Sequence, residues 1–210
     1  AQGNQDGNSI GDFYYEPPSG YLALCTSNLP DPEIKLPGDH FNTVLYTGNA
    51  AATHAITGVG FQPDFTWLKK REDEDKHILT DAVRTATYYV SSNSTAEQDQ
   101  ESTSLKSFDT DGFSVGDWDD VNGSGSSFLS WNWLAGTAPT VDNSAGAGAT
   151  PTAGSVKIDG SNLGSALAGS IAATKLSANT TSGFSIVEYV GTGSGATIAH
   201  GLSAAPELFI

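Results

Sequence analysis

The 210-residue chain combines 38% hydrophobic residues with a formal net charge of -15, from nine Lys+Arg against 24 Asp+Glu. That length and hydrophobic share suffice for one large domain or two small ones, each with a core. The charge excludes a sequence-independent grip on nucleic acid and docking on anionic lipid, and no apolar run reaches the ~18 residues that argue for membrane insertion.

The single cysteine, Cys25, allows neither an intrachain disulfide nor a multi-cysteine metal site. It lies beside the apolar run Tyr21 to Leu24 and is expected to be buried rather than reactive. Residues 1–37 hold two short apolar runs, Phe13 to Tyr15 and Tyr21 to Leu24, separated by the turn Pro17-Pro18-Ser19-Gly20. They read as the last strand or two of an upstream β-domain, which the resemblance given below implies to be lectin-like, or as strands added to the next one, followed by a proline-rich connector.

Residues 38–136 follow strand spacing and predict one complete β-unit. Candidate strands lie at Phe41 to Tyr46, Phe65 to Lys69, His77 to Leu79, Thr87 to Val90, Leu105 to Phe108, Gly112 to Gly116 and Phe128 to Trp133. Asp109-Thr110-Asp111-Gly112 is a hairpin turn signal. In the last strand Leu129, Trp131 and Trp133 form a continuous apolar face, expected with Trp67 to fill the core. Weak helical material is confined to Asp73 to Ala86. The predicted fold is all-β, an antiparallel sandwich or jelly roll.

Residues 137–177 are rich in Ala, Gly, Ser and Thr and lack aromatic side chains. They read as an extended linker or as a clasp covering a neighbouring subunit. Val156, Ile158, Leu163, Leu167, Ile171 and Leu176 favour the clasp, since a pure spacer has no use for them.

Residues 178–210 read as the opening strands of a second copy of the unit. Phe41 to Gly48 aligns with Phe184 to Gly191 at an offset of 143 residues, which Pro63 and Pro206 share. Leu208-Phe209-Ile210 ends in a rising apolar run and no Met is present, so the sequence is expected to be an excerpt of a longer chain.

No catalytic constellation emerges. There is no nucleophile elbow, phosphate loop or His-Glu-x-x-His, and His40, His54, His77 and His200 do not sit at metal-ligand spacing. Asp109, Asp111, Asp117, Asp119 and Asp120 are the candidate oxygen ligands for Ca²⁺, Asp109, Asp111 and Asp117 foremost, although Gly112 and Gly116 favour a tight hairpin over calcium and no cofactor is required. Trp118, Tyr88 and Tyr89 are candidate sugar-stacking rings, with Trp118 expected to be the most exposed.

Phe13 to Pro30 resembles the end of SPRY-like, concanavalin-type domains in virion proteins of marine tailed phages. Gly58 to Arg71, Asp81 to Arg84, Ser91 to Glu97, Phe108 to Val115 and Trp131-Asn132-Trp133 resemble the unit that follows it. Thr85 stands where those sequences often carry glycine. The resemblance implies a non-enzymatic tail-fibre or other structural role, on a virion or outside cells. It further implies self-association or contact with other virion proteins. A carbohydrate-binding module that recognises a host surface glycan is the alternative, and a glycan hydrolase stands behind it.

Overall fold

The period-two alternation along the first unit becomes nine strands in the computed structural model, which describes residues 3–210. They are β1 (Phe41–Thr47), β2 (His54–Thr57), β3 (Phe65–Lys70), β4 (Ile78–Asp81), β5 (Tyr88–Ser91), β6 (Asp99–Gln100), β7 (Leu105–Asp109), β8 (Gly112–Val115) and β9 (Ser127–Trp133). One sheet has the order β1-β9-β3-β4-β5-β6, and a second has the order β2-β8-β7. Between them lie Ile56, Leu68, Ile78, Tyr89, Leu105, Phe113, Val115 and Val121. The fold is an all-β sandwich, and each fully buried side chain of this kind contributes about 1.5–3 kcal/mol.

The centre of the larger sheet departs from expectation. β9 runs antiparallel between β1 and β3, and its buried face is Phe128, Ser130 and Asn132. Leu129, Trp131 and Trp133 lie half-buried on the opposite, outer face, with Trp67 beside them. The polar residues belong inside because they are satisfied there. Asn132 Oδ1 accepts from Thr66 Oγ1 at 3.2 Å, and its Nδ2 donates to Ser130 Oγ at 3.0 Å and to Asn42 O at 3.2 Å.

Helix also falls elsewhere than expected. Asp73 to Ala86 contains β4 and a turn, whereas the one α-helical turn, α1, is Asp119–Asn122. Its last residue ties the loops at one end of the sandwich together. Asn122 is fully buried and its Nδ2 donates to Gly116 O at 2.7 Å, Ala51 O at 3.1 Å and Asn49 Oδ1 at 3.2 Å. Its Oδ1 accepts from Asn49 N and lies 2.9 Å from His54 Nδ1, which places the proton of that ring on Nδ1.

Residues 137–177 are not a bare spacer. They supply β10 (Val156–Ile158), β11 (Ser161–Asn162) and most of β12 (Ala173–Asn179), which join β13 (Phe184–Tyr189) in a sheet ordered β11-β10-β12-β13. Val156, Ala173, Leu176 and Ala178 form its core, packed by Ile158, Leu163, Leu167, Val187 and Leu202. The regular apolar series read from the sequence is thus used within the chain. Leu36–Ile210 forms one compact unit, and the residues up to Lys35 form another.

Among the described residues, the unit that ends at Lys35 contains none of the expected strands. Its only pairing among the described residues is the bridge Asn4↔Phe13, and Thr26–Asn28 is a 3-10 turn. Cys25 is half-buried, and Leu24 is 99% exposed. The organising group is the buried Asp6. Its Oδ1 accepts from Asn8 N and Ile10 N, and its Oδ2 from Ala23 N and Asn28 Nδ2, at 2.7–3.0 Å. Burial pushes the Asp6 carboxyl up, but these bonds outweigh it and hold its pKa at about 2, below the ordinary 3.8.

A carboxylate whose pKa is depressed on folding stabilises above its unfolded pKa, and that stability disappears as pH falls through the folded value. The loop of residues 3–35 is therefore expected to loosen between about pH 4 and pH 2. Amide hydrogen exchange at Ile10 and Ala23 checks this, with acceleration in that window. Asp6→Asn loses acceptors and exchanges fast already at neutral pH.

Candidate functional site: an aromatic sheet face and a polar cleft

The outer face of the large sheet is built in three cross-strand rows. Phe41, Trp133 and Phe65 form the first, Thr43, Trp131, Trp67 and Leu79 the second, and Leu45, Leu129 and Lys69 the third. Side chains directly opposite each other on neighbouring strands pack as pairs. Trp133 lies 4.9 Å from Phe41 and 5.3 Å from Phe65, ring centre to ring centre. Trp67 meets Trp131 at 5.7 Å, edge to face. Phe41 and Leu45 remain 40% and 64% exposed, so apolar surface is presented to solvent along β1.

One end of this face is already covered from the sheet that holds β13. Phe184, the first residue of β13, stacks on Trp133 at 5.7 Å with an interplanar angle of 18°, and meets Phe65 edge-on at 5.7 Å. On the far side, Trp67 Nε1 donates to His77 Nδ1 at 3.0 Å. Burial, aided by the charge of Lys69, pushes the His77 pKa down and keeps that acceptor unprotonated.

A shallow cleft of about 370 Å³ opens beside the sandwich, lined by Arg84, Thr85, Tyr88, Gln98, Lys175 and Glu188. Its two cations are engaged. Arg84 Nε donates to Asp81 Oδ2 at 2.5 Å, and Lys175 lies 3.2 Å from Asp142 and 3.9 Å from Glu188. Asp81 Oδ1 also accepts from Val83 N and Arg84 N, so the carboxylate shapes the turn that carries the guanidinium. Thr85 comes next in a left-handed conformation, φ 82°. Glycine adopts that conformation without strain, which explains the glycine expected at this position.

The sequence-derived candidates separate. Tyr88 lines the cleft. Tyr89 is buried, with its hydroxyl donating to Asp99 Oδ2 at 3.1 Å and accepting from Lys76 Nζ at 3.2 Å. Trp118, expected to be the exposed ring, packs half-buried on the core 5.2 Å from Tyr89, so its face is already used. Asp109 accepts from Ser107 Oγ at 2.8 Å and Ser114 Oγ at 2.6 Å, and Asp111 from Gly60 N at 2.7 Å and Gly58 N at 3.1 Å. Asp109 braces its own hairpin, Asp111 pins the distant loop of Gly58 and Gly60, and Asp117 is exposed.

Among the described residues the acidic oxygens that converge, within 4.8 Å, belong to Asp75, Asp119 and Asp120. The cation at that place is built in. Lys70 Nζ lies 2.8 Å from Asp119, 2.9 Å from Asp73 and 3.2 Å from Asp75. The hydrogen bond to Asp119, then that to Asp73, raises the Lys70 pKa above its ordinary value. Alternation groups Leu129, Trp131 and Trp133 on one face without showing that it is the outer one; the cleft has no sequence signal, because Tyr88 and Glu188 are 100 positions apart.

Two substitutions probe this surface. Phe184→Ala removes half-buried ring packing and is expected to lower unfolding free energy by about 2 kcal/mol in denaturant titration, with a changed tryptophan emission. Thr85→Gly relieves the left-handed strain and is expected to raise it by about 1 kcal/mol in the same measurement.

No helix among the described residues is long and apolar enough to cross a membrane. No curated protein and no solved structure matches the chain. A family model described as a domain of unknown function, DUF7483, matches residues 36–159 and again 157–210, and the chain belongs to that family.

Proposed function

We propose that the chain is a non-enzymatic structural component of a phage virion, a fibre, appendage or other surface-exposed part used in assembly or host attachment. The observation that carries this is the aromatic joint. Phe184, which opens the second copy of the repeat, sits on Trp133 and Phe65 of the first. Successive β-units joined ring to ring make a rod whose parts need no mobile linker. The sequence resemblance to virion proteins of tailed phages points the same way. So does a negative surface, which limits non-specific contacts in a particle exposed to its medium.

A second reading has its own support. The cleft with Tyr88, Gln98, Arg84 and Glu188 combines a ring with hydrogen-bonding groups, as glycan sites do, and makes the chain a carbohydrate-binding module on the same particle.

Mass spectrometry of purified virions from a phage encoding this chain is expected to find it at several copies per particle, and immunogold labelling to place it on an external appendage. Absence from purified particles refutes the structural role. For the second reading, Tyr88→Ala is expected to abolish binding on an array of host surface glycans; an array silent with the unaltered chain removes it.

A further inference from the structure

The two copies of the opening strand are paired on opposite edges. In an antiparallel sheet, the N–H and C=O groups of alternate residues point to alternate sides of the strand. For β1 the even positions face β9: Gly48 N donates to Ser126 O at 2.9 Å, Gly125 N to Gly48 O at 2.8 Å, and Leu134 N to His40 O at 2.9 Å. Phe41, Thr43 and Leu45 therefore face the outer edge of β1, where the Thr43 N–H is taken locally by Asn42 Oδ1 at 2.9 Å.

For β13 the sides are reversed. In β12 the even positions face away from β13: Leu176 N donates to Ser155 O at 3.0 Å, Asp159 N to Ala178 O at 2.9 Å, and Asn143 N to Thr174 O at 2.9 Å. The odd positions of β12 therefore face β13, where Ser177 opposes Ile186 and Asn179 opposes Phe184. The even positions of β13 up to Glu188 are thus bonded, and Ser185 and Val187 face its open edge; the register shifts between Ala173 and Lys175, opposite Tyr189. At the offset of 143, Ser185 and Val187 are the counterparts of Asn42 and Val44, positions that β1 turns toward β9.

We infer that the open edge of β13 is the seat of a β9-type strand, the one that completes the repeat beginning at Phe184. This rests on the repeat-array reading above. The side chains call for the same occupant. Tyr46 stacks on Phe128 of β9 at 5.1 Å and 15°, and its hydroxyl donates to Val121 O at 2.7 Å. Its counterpart Tyr189 is 51% exposed, and the adjoining Val190 74%. A strand with the alternation Phe128-Leu129-Ser130-Trp131-Asn132-Trp133, entering antiparallel, sets a ring against Tyr189 and a small hydroxyl against Val187, as Phe128 and Ser130 do for Tyr46 and Val44. In an array each opening strand is then closed on both edges, by a β12-type strand on one side and a β9-type strand on the other. The sheet no longer ends in an open edge that invites aggregation.

The test uses the full chain and a synthetic peptide of residues 123–134 with a solubilising lysine tail, free or tethered behind Ile210 by a flexible linker that raises its effective concentration. Hydrogen exchange by NMR is expected to slow at least tenfold at the Ser185 and Val187 amides and to stay unchanged at Ile186 and Glu188. A peptide N-methylated at Phe128, Ser130 and Asn132, whose amides face β1 in the first unit, is expected to lose the effect. Methylation at Leu129 and Trp131 is expected to retain it. The inference is overturned if the tethered peptide gives no protection, if both methylated peptides act alike, or if protection falls on the even amides. Protection that appears without peptide and grows with protein concentration puts a second copy's β13 on this edge and overturns it too. Each of these failures leaves the virion role to its own measurement, the composition of purified particles.

Discussion

The structure hangs on the register of β9. This strand has neighbours on both sides, so a slip of one residue turns every side chain of the central sheet to the wrong face. Hydrophobicity alone does not fix that register, since Leu129, Trp131 and Trp133 are more apolar than Phe128, Ser130 and Asn132. The polar pair fixes it. Ser130 and Asn132 are bonded to each other and, through Asn132, to Thr66 of β3 and Asn42 of β1. Any other register leaves these groups buried and unsatisfied, at about 1–3 kcal/mol each, or puts three bulky side chains, two of them indole rings, where Thr66 and Thr80 now lie.

One carboxylate sets the path of the chain beyond β9. Asp64 is almost wholly buried just before β3, and its Oδ2 accepts from Ala135 N at 2.8 Å and Thr137 N at 3.0 Å. Burial pushes its pKa up, against the pull of those two bonds. The chain leaving Trp133 is thereby turned toward the β11-β10-β12-β13 sheet. Gly136 N donates there to Ser177 Oγ at 2.8 Å, and Ser177 Oγ donates to Thr137 O at 2.7 Å. A Cβ on Gly136 would stand 2.5 Å from both Ala178 O and Lys157 O, so only glycine permits this approach. Asp64, Gly136 and Ser177 together hold β12 against the sandwich, and β12 in turn brings β13 and Phe184 to Trp133.

The strands of the first unit were legible because β-structure with one buried face writes its period into the sequence. Seven of them lie where alternation and turn residues put them; the two-residue β6 is too short to show a period, and β2, His-Ala-Ile-Thr, has a single large apolar residue to mark it. Which face of β9 is buried was not legible, because the decision rests on hydrogen bonds across strands. Residues 137–177 hid their sheet for a different reason. β12 is Ala-Thr-Lys-Leu-Ser-Ala-Asn, and small residues pack tightly here without raising hydropathy. The first 35 residues are shaped by Asp6, a charge that organises loops through four hydrogen bonds and leaves aromatic rings outside. The carboxylates that converge around Lys70 include Asp119 and Asp120, two of the aspartates the sequence offered, joined by Asp75 from a loop more than forty positions away.

The chemistry of the joint is dictated by the charge. Two neighbouring units in an acidic chain repel each other, and the few cations are spent locally: Lys70 on three aspartates, Arg84 on Asp81, Lys175 on Asp142 and Glu188. An ionic joint would also weaken with salt, because the screening length falls to about 3 Å at 1 M. Stacked rings escape both constraints. Trp133 offers one neighbour to Phe41 within its own sheet and another to Phe184 from the next, so the same aromatic position of the repeat serves packing inside a unit and cohesion between units. A joint of this kind holds at any ionic strength, and screening of the repulsion at high salt strengthens it.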